Sequence, residues 1–98
     1  MVHLTLLPDH KTIQVSADDG QMEYDTLSGK ISRVGDIKVE YDWLSGKLSQ
    51  VGDVKIEYDG LTGVVTKVGG AQIEYDGVSG RVSQISGATG DSRIGFSA

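Results

Sequence analysis

The chain repeats itself every 17 residues. Tyr24, Tyr41, Tyr58 and Tyr75 mark the period, each preceded by a glutamate (Glu23, Glu40, Glu57, Glu74) and followed by an aspartate (Asp25, Asp42, Asp59, Asp76). A fixed period of this size marks an array in which each small unit buries its apolar face against its neighbours. Four units span 21–37, 38–54, 55–71 and 72–88, as in KVEYDWLSGKLSQVGDV followed by KIEYDGLTGVVTKVGGA. Residues 1–20 and 89–98 depart from the pattern, and arrays end in atypical segments that close an otherwise open core. The chain is therefore expected to be one domain over 1–98, with an N-terminal cap hairpin over 1–20, four repeats over 21–88 and a C-terminal cap over 89–98.

Each unit contains two strand signals. Val54-Lys55-Ile56-Glu57-Tyr58 alternates apolar and charged residues with period two, and Leu48-Ser49-Gln50-Val51 represents the second, shorter run. A D-x-L-S-G loop separates the two runs within a unit, and a Gly-Asp or Gly-Gly pair joins one unit to the next. Two-residue glycine loops favour the turns that suit antiparallel hairpins. The loop ending in Gly63 suggests a turn closed by a left-handed glycine and a bulge. Val2–Leu7, a turn at 8–11 and Thr12–Ser16 add a further hairpin, and no stretch free of glycine shows helical spacing over roughly ten residues.

The expected fold is all-β: an antiparallel meander of about 9–11 short strands built from β-hairpin repeats. The alternative is a parallel β-solenoid, but it would stack the four glutamates in one column and the four aspartates in another, and like charges on neighbouring strands destabilise. A meander interleaves Arg33, Gln50, Lys67 and Gln84 between the glutamates. Leu48 and Val51, three apart like their equivalents, would point to opposite faces of an unbroken strand. A bulge corrects that parity. A sheet with one apolar face must then roll up into a barrel, fold over into a sandwich or pair with another chain, so a homo-oligomer is expected.

The runs Tyr41–Leu48 (YDWLSGKL) and Tyr75–Val82 (YDGVSGRV) resemble the YD (RHS-type) repeats, whose pattern is Tyr-Asp, two residues, then Gly-Arg-Leu. Here three residues separate Asp from Gly, and the array is far shorter than in that family. The resemblance implies a β-hairpin architecture. Members of the family build shells around toxins or mediate adhesion.

Composition narrows the function. The chain has no cysteine, so it is neither a disulfide scaffold nor a Cys-based zinc site. A net charge of −5 argues against nucleic acid as a partner, and no apolar run of roughly 18 residues is present to span a membrane. The lack of an apolar stretch near Met1 and of cysteine favours the cytoplasm. His3 and His10 lack converging partners, Ser28, Ser45, Ser79 and Thr62 recur as turn residues in place of one unique nucleophile, and no glycine-rich loop opens a helix. No enzymatic activity and no cofactor are expected.

What remains are surfaces. Leu27, Leu44, Leu61 and Val78 form an apolar row at the loop tips, which either folds over the open hairpin ends or makes a contact stripe for a partner. Trp43 replaces Thr26, Gly60 and Gly77 of the other copies and is a candidate interface anchor. The reading is a non-enzymatic structural or protein-interaction module whose partner is itself or another protein. The alternative is a glycan- or calcium-binding module using Tyr24, Tyr41, Tyr58 and Tyr75 with the adjacent aspartates, since tyrosines suit a ligand face and calcium takes turn oxygens.

Overall fold

A computed structural model describes residues 1–18 and 20–98; Asp19, inside the N-terminal segment, lies outside the described residues. Eleven strands form, with no helix among the described residues: β1 (Val2–Leu6), β2 (Ile13–Ala17), β3 (Met22–Tyr24), β4 (Ile31–Val34), β5 (Ile37–Tyr41), β6 (Leu48–Val51), β7 (Val54–Tyr58), β8 (Val65–Val68), β9 (Ala71–Tyr75), β10 (Val82–Ser86) and β11 (Ile94–Ser97). The repeats make an eight-stranded antiparallel meander from β3 to β10, in sequence order. The sheet is not a solenoid, and the charges interleave as the hairpin register requires: Glu23 lies opposite Arg33 and Glu57 opposite Lys67.

The alternating run becomes the first strand of each hairpin. In β7, Val54 and Ile56 are buried while Lys55 and Glu57 are exposed. The second strand buries residues three apart, Leu48 with Val51 and Val65 with Val68. A bulge reconciles them with the two-residue period. Glu57 faces Lys67 but the next residue, Tyr58, faces Val65, so Thr66 is the extra residue, and the same shift recurs in every repeat. The hydroxyls of Ser32, Thr66 and Ser83 at these bulges each donate to the carbonyl of the facing glutamate at 3.2 Å.

The meander stays open. It does not close into a barrel, and eight strands roughly 4.8 Å apart match the long axis of a molecule measuring 41 × 29 × 19 Å. Its apolar face is covered from within the chain by a second sheet of order β11-β1-β2, in which β1 pairs antiparallel with β2 and parallel with β11. Val2, Leu4, Leu6, Ile13 and Ile94 from this small sheet join Val39, Leu48, Val51, Val54, Ile56, Val65 and Val68 from the meander in one core. Face-to-face packing of two twisted sheets is the sandwich arrangement. The two layers are also tied at the β1–β2 turn, where the Val65 amide donates to the His10 carbonyl at 2.8 Å.

The chain reaches β11 by crossing the turn between the third and fourth repeats. There Gly69 (φ +60°) opens the two-residue turn, and a Cβ on it would strike the Thr89 carbonyl. A Cβ on Gly70 would sit 2.6 Å from the Ala88 carbonyl oxygen. Asp36 and Asp53 occupy the position of Gly70 in the earlier turns, so the third repeat departs from the two before it where another backbone lies against it. Beyond the crossing, the buried Thr89 hydroxyl donates to the Ile94 carbonyl at 2.7 Å. The Arg93 guanidinium grips Asp91 at 2.8 Å, and that contact holds the Asp91 carboxyl down at about 2.

Candidate functional site

Each loop tip is built by its aspartate. The Asp59 amide donates to the Val64 carbonyl at 2.8 Å, and the Asp59 carbonyl accepts the Gly63 amide at 2.9 Å. Its carboxylate Oδ1 accepts the amides of Leu61 (2.7 Å) and Thr62 (3.1 Å). Gly63 has φ +78°, a left-handed conformation that few other residues adopt without strain. Asp25, Asp42 and Asp76 repeat the arrangement. The amides of Thr62 and Leu61 hold the Asp59 carboxyl below its ordinary range, and those of Val78 and Ser79 do the same for Asp76.

Leu27 is 97% exposed, Trp43 88%, Leu44 78%, Leu61 99% and Val78 99%. The expectation that each leucine folds over its hairpin end is therefore overturned; the row points into solvent. Trp43 borders a shallow groove of about 480 Å³ with Asp25, Lys30, Tyr41 and Asp42.

The tyrosines lie elsewhere. Tyr41, Tyr58 and Tyr75 are half-buried against the core, and the hydroxyls of Tyr58 and Tyr75 donate to the Leu48 and Val65 carbonyls of the preceding repeat at 2.7 and 2.6 Å. Burial pushes the Tyr58 hydroxyl up to about 12. Tyr24, on the outermost strand β3, is 56% exposed. Among the described residues no group of three or more His, Cys, Asp or Glu side chains is placed to hold a metal ion. His3 sits 3.0 Å from Asp18 and the His10 ring packs against Tyr75, so the two histidines do not converge.

Sequence reasoning passed over the basic residue that follows three of the four loop glycines. Lys30 Nζ lies 4.9 Å from the centre of the Tyr41 ring and donates to the Gly46 carbonyl at 2.8 Å; Lys47 lies over Tyr58 at the same distance and reaches the Gly63 carbonyl at 3.5 Å. Each cation thus belongs to one repeat and caps the next. The signal was the recurrence of Lys30, Lys47 and Arg81 at one position, with Val64 the exception.

No protein-family model, curated protein or solved structure matches the chain. No helix among the described residues is long and apolar enough to cross a membrane.

Proposed function

We propose that the chain is a non-enzymatic structural and protein-interaction module, whose contacts with a second copy or another protein are made by the row of Leu27, Trp43, Leu44, Leu61 and Val78. The observation that carries this reading is the near-complete exposure of five large apolar side chains along one rim. Large apolar side chains left exposed at one rim are a common mark of an interaction surface, and a tryptophan is a frequent anchor within one. The resemblance to YD repeats, which serve as shells and adhesive arrays, points the same way.

The test combines light scattering over a concentration series with the emission of Trp43, the sole tryptophan. Association through the row shifts that emission to the blue as the mass rises. The triple substitution L27S/L61S/V78S abolishes both changes while preserving the melting temperature. Equal mass and emission for the two proteins at every concentration remove the row as a self-contact. Calcium and soluble glycans leave the emission unchanged on this reading; a saturable response to either replaces it with a ligand-binding one.

A further inference from the structure

We infer that the two outer edges of the meander, β10 and β3, are complementary to each other, so that the partner at each edge is a second copy of this chain added head to tail. The inference rests on the reading of the chain as an assembling module but uses a different surface from the loop-tip row.

The argument comes from the joints already present within the chain. The second strand of one repeat meets the first strand of the next three times, at β4–β5, β6–β7 and β8–β9, in a single register: Arg33 opposite Lys38, Gln50 opposite Lys55 and Lys67 opposite Gln72. The strand β10 is the same kind of second strand with no successor, and β3 is the same kind of first strand with no predecessor. Continuing the register across two copies places Gln84 opposite Gln21 and Arg81 opposite Tyr24.

Both pairs suit the contact. Lys30 and Lys47 each lie over the tyrosine of the following repeat and reach its loop carbonyl. Arg81 holds the equivalent position just ahead of β10, and Tyr24 is the one tyrosine of the four with no preceding repeat. Gln84 with Gln21 is an uncharged amide pair, whereas Arg33 with Lys38 at the first internal joint sets two cations side by side.

Burial agrees. Val65 and Val68 are fully buried inside the array, while their equivalents Val82 and Ile85 on β10 are half-buried, and Tyr24 is more exposed than Tyr41, Tyr58 or Tyr75. The chain leaves β10 through Gly87, which lies against the Gly70 carbonyl and so runs back over the molecule's own turn. A joint between two different edges is heterologous, so copies add in series, and an unpaired strand edge is a natural template for such addition.

The chain has no cysteine, so directed cross-linking reads the joint cleanly. Gln21 and Gln84 are both exposed, and the variants Q21C and Q84C are first checked for unchanged melting under reducing conditions. On oxidation, a mixture of the two gives a covalent dimer while either alone stays largely monomeric; the double variant Q21C/Q84C gives a ladder of multimers. In the parent chain, Arg81→Glu lowers the concentration-dependent mass. A monomer at all concentrations overturns the inference, as does cross-linking of either single variant with itself as readily as in the mixture. Association that L27S/L61S/V78S abolishes, without cross-linking between Gln21 and Gln84 positions, overturns the edge joint and leaves the loop-tip reading standing. Cross-linking that survives L27S/L61S/V78S supports the edge joint as a contact independent of the row.

Discussion

The two rims of the meander are made in different ways. At the loop-tip rim four loops of nearly one sequence fold in one conformation, each held by hydrogen bonds to its own aspartate. At the opposite rim the two-residue turns differ: Gly52-Asp53 follows the repeat, whereas Gly69-Gly70 lies under the backbone of residues 88 and 89. Where the repeats agree, local chemistry suffices to set the conformation. Where they disagree, a distant part of the chain is pressing on them.

The largest expected effect tests that second statement. Gly70→Asp restores the residue found in the earlier turns, yet its Cβ meets the Ala88 carbonyl oxygen at 2.6 Å. It should cost about 2–3 kcal/mol, as overpacking does, and lower the melting temperature by roughly 10 °C or more in a domain of this size. The reciprocal Asp53→Gly, at an exposed turn position, should stay within about 0.5 kcal/mol. Equal effects from the two would break the contrast.

Next comes the bond between repeats. Tyr58→Phe removes the hydroxyl that donates to the Leu48 carbonyl and should cost about 1 kcal/mol in chemical denaturation. It also changes the response to alkali. The Tyr58 hydroxyl is raised from its ordinary 10.0 to about 12 in the folded chain. Its contribution is therefore intact below pH 10 and lost as pH rises through the folded value, and the Phe variant should show a flatter decline over that window.

Acid probes the loops and the crossing segment. Asp59, Asp76 and Asp91 are all depressed in the folded state, Asp91 to about 2, by the Arg93 side chain foremost. Their contributions are present above the ordinary carboxylate range and disappear as pH falls through the folded values. Replacing Asp91 with Asn should therefore reduce the slope of stability against pH between about 4 and 2, measured by urea unfolding at each pH. The smallest effect belongs to the loop-tip rim, where Trp43→Gly only installs the residue of the third and fourth repeats. Its melting temperature should barely move, with a stability change within about 0.5 kcal/mol, and any change should appear in association alone.

Much of this architecture is legible in the residues. Alternation in Val54–Tyr58 announces a strand, and the three-residue spacing of Leu48 and Val51 announces a bulge, because local sterics fix both. The leucine row misleads, since its apolar character suggests shelter, while the Asp-to-amide bonds that turn it outward are a matter of loop geometry. The parallel pairing of β1 with β11 has no periodic signature, because neither strand belongs to the repeat. Its one trace is indirect: Gly70 for aspartate and Ala71 for the Ile37 and Val54 of earlier copies, both reductions in size beneath the crossing chain.

That pairing changes how the molecule comes apart and comes together. A plain array of hairpins behaves like a zipper, with neighbours forming in turn and ends free to fray. Here Val2 lies beside Ile94 and Leu4 beside Phe96, so the first strand is sealed by the last. On a ribosome the repeats are able to assemble as they emerge, but the sandwich waits for residues 94–97 before its small sheet is whole. The knot of long-range contacts makes final folding slower than hairpin formation and binds the fate of every repeat to the chain's last strand.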